Sequence, residues 1–596
     1  MTSNIMEKIF MAGALCCGLL VSVTSCNDGY EELPANQFTD DYLFSQTDSL
    51  GEQATQFLAD IYDAVPYGHN GVGGDYLDAA SDDAISIEMD NEPDVLKLVM
   101  GRYTPSNLVS SEMRWGDYYK SIRKVNIFLQ GVDRVPFKNT YVNAIGETRG
   151  LGVSMKAEAR FLRAYFYFLL VERYGGVPIV GDRVFQLGDN VELPRNTFED
   201  CVNYICDELD NIKDSLRVVG TLGLGQYAHV ATKQACMALK ARVLLYAASP
   251  LFNGQTLENG NPYVGYVDYD HSRWDKAAAA ARDFIEEFGT EKGNKSADLP
   301  ADSRNVFLNY YGASNREMIF FRAADDGKTI ERNNGPLGFS GDKLGSGRTI
   351  PTQNLVDAFL MKDGKARGKS TKYVYDDQKP YDNRDLRLDY SILHNGSKWL
   401  GVNLETFVGG VNNPGTGTNS TPTSYYMCKF MGKYGGNEAD YSDHHRLWVI
   451  LRYTEVLLNF CEAENERLDA PSQEIFDILI QLRRRAGIES GGRNGTYGLD
   501  VENTSKEEMR EIIRNERRLE LAFEGHRYFD IRRWRIAEEV FAQPLQGMLA
   551  IKGASNVVYT RVDVLKANFT PRMYLYPIPY SEVNKNVNMV QNPNWK

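Results

Sequence analysis

Asp75, Asp78, Asp82 and Asp83 crowd four carboxylates into one short stretch of the chain. Clustered acids can hold a calcium ion or supply the paired acid and base of a glycosidase. Neither pattern is complete: a calcium loop of the EF-hand type needs alternating oxygen ligands, a central glycine and a closing glutamate. A solvated loop is expected here. A second concentration of charge, from Arg514 to Arg535, sets Glu516, Glu520, Glu524 and Asp530 among arginines. Its spacing points to structure. Arg517 and Glu520 are three residues apart, as are Glu524 and Arg527, so each pair can close along one helix while Leu519 and Phe523 face inward.

His69, His229, His271, His394, His444, His445 and His526 form no short metal-binding motif. Gly341, Gly345 and Gly347 lack the spacing of a dinucleotide loop, and Asp326 to Thr329 lacks the leading glycine of a phosphate loop. No serine sits in a GxSxG turn. The expectation is a protein without catalysis, metal or cofactor. Recognition remains, and for sugars it needs aromatic rings that cover the apolar face of a pyranose, flanked by groups that satisfy hydroxyls. The chain holds 35 tyrosines and 27 phenylalanines. Two long stretches rich in Gly, Asn, Asp, Ser and Tyr, residues 65–111 and 290–443, offer the candidate ligand-binding residues. These are Tyr67, His69, Asp75, Tyr76 and Tyr103 in the first, and Tyr310, Tyr311, Arg322, Asn333, Asn334 and Phe339 in the second.

The elements that must position them are mostly helical. Ala157, Phe161, Ala164, Tyr165 and Phe168 recur at spacings of three and four, predicting a helix from Lys156 to Tyr174 that Gly175, Gly176 and Pro178 end. A second helix, Ala231 to Ser249, mixes Ala235, Ala238 and Ala241 with Leu239 and Val243. Helices are also expected at Gly51 to Ala64, Met113 to Gln130, Phe198 to Leu216, Trp274 to Phe288, His445 to Leu468, Gln473 to Ala486 and Lys506 to Trp534. Small residues on packing faces and pairs of successive helices predict a mostly α fold, a tetratricopeptide-like helical-repeat core with the two irregular stretches as a loop-rich face.

Several blocks then resemble the SusD/RagB family, in its order and over nearly the whole chain. They are Trp115 with Tyr118, Tyr119, Ile122, Asn126 and Phe128; KAEARFLRAYFYFLLVERYGGVPIV from Lys156; ATKQACMALKARVLLYAASP from Ala231; and PTQNLVDAFLMKDG from Pro351. LRYTEVLLNFCEAENE from Leu451, RRRAG from Arg483, RNERRLELAFEGHRYFDIRRW from Arg514 and YPIPYSEVNKNVNMVQNPNW from Tyr576 complete the series. Val587 and Cys461 depart from the residues common in the family. The resemblance implies a helical core of four tetratricopeptide-like units. It also implies a surface protein that captures an oligosaccharide or polysaccharide and passes it to a SusC-like TonB-dependent transporter, with a RagB-like peptide cargo as the alternative. A surface glycoside hydrolase and a scaffold without a small ligand are the other readings. Trp115, Trp274, Trp534 and Trp595 fall in framework blocks and are expected in the core, while Trp399 and Trp448 stay open.

At the amino terminus, an apolar run from Ile9 to Val23 ends in Val23, Thr24, Ser25 and Cys26, the pattern of a bacterial lipoprotein processing site. Residues 1–25 are read as a signal peptide and Cys26 as the lipid-bearing residue, followed by a linker to residue 50 and a single domain over 51–596. The expected location is the cell outer membrane, anchored by acyl chains and facing outward. Asp28, Glu31 and Glu32 resemble the acidic tracts that accompany surface export. Net charge is −14, which argues against a nucleic-acid partner. Cys201, Cys236 and Cys461 lie among apolar residues and are expected as buried free thiols.

Overall fold

The computed structural model describes residues 40–219, 230–254, 257–290, 293–308, 315–415, 420–492 and 495–595. Cys26, Tyr310 and Tyr311 lie outside them. Helix dominates: α1 (Glu52–Asp63), α2 (Trp115–Gly131), α3 (Leu151–Tyr174), α4 (Phe198–Ile212), α5 (Lys233–Ala248), α6 (Ser272–Phe288), α7 (Tyr453–Arg467), α8 (Gln473–Arg485), α9 (Lys506–Glu520) and α10 (His526–Arg533). From α2 to α7 each helix packs on the next, and α9 packs on α7. This is the tetratricopeptide-like core.

α3 runs through its centre, buried on nearly every side from Ser154 to Tyr174. Gly175 ends it with φ 77°, and a Cβ there would lie 2.3 Å from the Tyr263 carbonyl oxygen, so only glycine fits. The Thr232 hydroxyl caps α5 by accepting the Ala235 N–H at 3.3 Å. The α5–α6 contact is close because both helices bury small residues, Ala248 of one packing with Ala277 and Ala278 of the other. Trp115, Trp274, Trp534 and Trp595 are buried, and so is Trp399; Trp448 is half-buried. Cys201, Cys236 and Cys461 are buried free thiols.

Two expected helices are different. Residues His444–Arg452 form a strand that pairs antiparallel with Met318–Gly327, with Leu447 opposite Ala323 and Val449 opposite Phe321. Val449 and Ile450 favour that extended state, and helix begins only at Tyr453. The helix expected over Lys506 to Trp534 breaks at an elbow between α9 and α10, where Phe523 has φ 64° and Gly525 φ 77°. The Asp78 carboxylate fills the elbow, accepting the N–H groups of Phe523 at 2.9 Å and Gly525 at 3.0 Å. The two irregular stretches meet directly, since Ala84–Ser86 pairs antiparallel with Thr349–Pro351. Among the described residues no helix is long and apolar enough to cross a membrane.

The acid run is no solvated loop. Asp75, Asp78 and Asp83 are fully buried and Asp82 nearly so. Arg518 meets Asp82 and Asp83 at 2.8 and 2.6 Å, and Arg527 meets Asp82 at 2.8 Å. The charges expected to pair within one helix pair across the fold instead. Arg517 donates to Asp530 and Asn459, Glu520 accepts from Arg387, Arg452 and Arg485, and Glu524 from Arg452 and Lys429. Buried charges need such partners because desolvation costs each several kcal/mol.

Candidate ligand-binding site

The second irregular stretch closes against the end of α9 around a cleft of about 400 Å³. Phe307, Tyr390, Trp399, Phe430 and Tyr434 give its walls aromatic surface, and Arg304, Asp389, Lys398, Lys433 and Glu438 bring polar groups to it. Concave, mostly apolar lining with a few polar groups is the usual form of a small-ligand site.

Its floor is a fixed charge network. Arg387 donates to Asp385 at 2.7 Å, Glu516 at 2.6 Å and Glu520 at 3.1 Å. Arg485 reaches Glu520 and Glu317, each at 2.5 Å. Desolvation would raise the Glu520 pKa, but Arg485, Arg452 and Arg387 hold it well below the usual carboxylate range. A carboxylate so held has no proton to give.

The walls follow from a strained, glycine-rich loop. Phe430 sits at φ 70°, and its ring meets Phe307 edge-on at 4.8 Å. At Gly432 a Cβ would lie 2.3 Å from His444 Nε2 and 2.6 Å from the Tyr434 ring. The Tyr434 ring packs on Trp399 at 5.1 Å, whose indole N–H donates to the Tyr441 hydroxyl at 3.3 Å. The Arg304 guanidinium covers the Tyr390 ring at 4.1 Å. Asp302 accepts from Arg304 at 3.0 Å and Lys433 at 2.8 Å. Burial works against its ionisation, but these hydrogen bonds hold its pKa down to about 2.

The candidate residues that fall among the described ones stand behind this cleft or away from it. Tyr76 stacks on Phe430 at 5.6 Å with planes 7° apart, and His69 meets the same ring at 4.9 Å. His69 bonds Tyr76 at 2.7 Å and the Leu447 carbonyl at 3.1 Å, and burial pushes its pKa down to about 3. They therefore brace the wall from within. Tyr67 lies 5.2 Å from His69, with Arg322 5.9 Å from its ring. Arg322 itself donates to the Val65 carbonyl at 2.5 Å. Asp75 is sealed beneath Arg348 and Thr349, each at 3.2 Å, and burial pushes its pKa up to about 6. The Asn334 amide ties Asn70 to the Ile330 carbonyl, and the Asn333 carbonyl accepts the Arg348 N–H at 2.9 Å. Phe339 packs half-buried on the core. Tyr103 is 1% exposed between Tyr576 and Trp595 and presents no ring face to a ligand.

The aromatic residues of the cleft were not among the candidates although they fall within 290–443. Their signal is the run KFMGKYGGNE from Lys429, aromatic residues spaced by glycines. A larger cavity, about 650 Å³, lies between α1, α3 and the strand Met318–Gly327. Its wall reaches Val230, next to residues 220–229, which lie outside the described ones. Among its polar groups, Tyr62 donates to Glu158 at 3.1 Å and Arg217 to Glu158 at 2.8 Å, while Asp63 and Arg322 also line it.

A model of the SusD family matches residues 316–595. A second, described as "Starch-binding associating with outer membrane", matches residues 49–245. The chain belongs to the SusD/RagB family. A SusD-like protein of Formosa agariphila is 34% identical over 169 residues, 28% of each chain. Another from the same organism is 22% identical over 542 residues, 88% of this chain and 91% of the relative. The SusD fold is matched by the crystal structure of a SusD-like protein from Bacteroides fragilis, with TM-score 0.73 and 24% identity over 95% of this chain and all of that one. A laminarin-binding SusD-like protein aligns with TM-score 0.59 and 17% identity, over 92% of this chain and all of that one. The floor and the KFMGKYGGNE loop of this SusD-family chain lie within residues 316–595, and Arg304 and Phe307 lie just before them.

Proposed function

We propose that this SusD-family protein is a surface glycan-binding lipoprotein that captures an oligosaccharide or polysaccharide and hands it to a SusC-like TonB-dependent transporter. The observation that carries the binding role is the cleft, where the half-buried Tyr390 offers aromatic surface, backed by the buried rings of Phe307 and Tyr434, beside Arg304, Asp389, Lys398 and Lys433. Rings of this kind cover the apolar face of a sugar, and the polar groups can meet its hydroxyls. The starch-binding description of one matching model and the laminarin-binding neighbour support the same ligand class. Attachment through Cys26 and location at the outer membrane rest on the amino-terminal sequence and on that model's description.

Capture without turnover fits the floor of the cleft. A glycosidase needs one carboxyl with a raised pKa as acid and a second at a set distance. Glu520 is the reverse, ionised and locked by three arginines. Affinity electrophoresis and calorimetry against plant, host and microbial polysaccharides, with peptide mixtures as controls, test the reading. Saturable binding to a glycan without products is expected; binding of peptides alone would replace it with RagB-like uptake.

A further inference from the structure

Among the described residues, every cation at the cleft but one already carries a carboxylate. Arg304 and Lys433 share Asp302, Arg387 is held by Asp385, Glu516 and Glu520, and Lys429 by Glu524. Lys398 donates to the Asn437 side chain at 3.0 Å. Opposing it at the rim are two exposed acids. The Asp389 side chain is 63% exposed, with His394 at 3.4 Å, and Glu438 is exposed, accepting the Gly436 N–H at 2.8 Å.

We infer that the cleft selects uncharged glycans and turns away anionic ones, and that Asp302, Asp389 and Glu438 set this selectivity. This rests on the cleft being the glycan site. A uronate or sulfate is recognised by cations that can be given over to it, usually the planar fork of an arginine. Here Arg304 has its fork closed on Asp302 through Nε and Nη2 at 3.1 and 3.0 Å, and its face laid on Tyr390. An acidic sugar entering the cleft would have to break that pair or draw Lys398 away from Asn437 in a lining it shares with the exposed acids Asp389 and Glu438, and like charges brought together in an interface are strongly unfavourable. A neutral sugar meets neither cost, because its hydroxyls can donate to the free lone pairs of the same carboxylates. The chain's net charge of −14 adds a long-range term of the same sign.

The test sets the purified protein against two panels at low and high salt. The neutral panel is laminarin, soluble starch, galactan, mannan and arabinoxylan; the anionic one is alginate, polygalacturonate, carrageenan and chondroitin sulfate. The expected result is retention by one or more neutral polymers, little changed by salt, and none by the anionic set. Two variants then separate the determinants. Asp302→Asn releases Arg304 and Lys433, and the double variant Asp389→Asn, Glu438→Gln removes the rim acids. Each should gain salt-sensitive affinity for an anionic polymer of at least about tenfold. Wild-type binding to an anionic polymer that weakens with salt would overturn the selectivity and leave the glycan role standing. Variants that gain nothing would overturn the assignment of these three residues. Binding to no polymer in either panel would overturn the glycan role and this inference with it.

Discussion

The ammonium of Lys429 lies 2.7 Å from Glu524 Oε1, and it also donates to the carbonyl oxygens of Glu520 and Ala522 at 2.9 and 2.8 Å. One side chain thus ties the loop that bears Phe430 to the elbow between α9 and α10. The same ammonium stands over the Phe307 ring at 5.2 Å, so the helical core and the wall of the cleft share a fixed point.

Lys429→Met should therefore act on the whole fold. It removes the donor to the Ala522 carbonyl and one of the two cations on the buried Glu524 carboxylate, leaving Arg452 to serve Glu524 and the Glu520 carbonyl. Breaking a buried pair costs about 3 to 5 kcal/mol. Urea unfolding of the variant beside the wild type checks this; a loss below about 1 kcal/mol would show that Arg452 alone satisfies Glu524.

Gly432→Ala should disturb the cleft loop. The added methyl would meet His444 Nε2 at 2.3 Å, and overpacking of this kind costs about 1 to 3 kcal/mol. A lowered melting temperature together with weakened glycan binding is expected, measured by calorimetry on one preparation.

Acid should destabilise the protein in a defined window. Burial works to raise the Glu462 pKa, but the Arg533 guanidinium and hydrogen bonds from Arg533 and Trp534 hold it down to about 2, against an ordinary value of 4.5. A depressed folded-state pKa contributes stability that is whole above the unfolded value and is lost as pH falls towards the folded one. The shift corresponds to about 3 kcal/mol, given up between about pH 4.5 and 2. Glu462→Gln should be less stable than wild type at about pH 7, with the gap closing on acidification. Denaturant titrations across that range check it, and a gap that stays constant would be the contrary result.

Much of this framework was legible in the sequence, and the failures have a common cause. The spacing from Ala157 to Phe168 and the stop at Gly175 depend on neighbours along the chain, so α3 could be read from its own residues. His444–Arg452 looked helical because Leu447, Ile450 and Leu451 satisfy helical spacing, while its strand partner, Met318–Gly327, lies far back in the chain. Asp82 and Asp83 looked solvated because their arginines, Arg518 and Arg527, come more than 400 residues later. For the proposed cleft, the stretch 290–443 was named from the sequence but most of its lining residues were not. Tyr76 and His69 have the composition of contacts, and only the packing against Phe430 makes them supports.

Glycan binding in the cleft is tested most directly at Tyr390, which is half-buried at the wall and outside the charge network of the floor. Calorimetric titration of wild type and Tyr390→Ala with the polysaccharide retained in the screen should show affinity falling at least about tenfold, the cost of losing one ring at a binding hot spot, with the melting temperature nearly unchanged. Equal affinity in the two proteins would place the glycan elsewhere on the surface and rule out the cleft as its site.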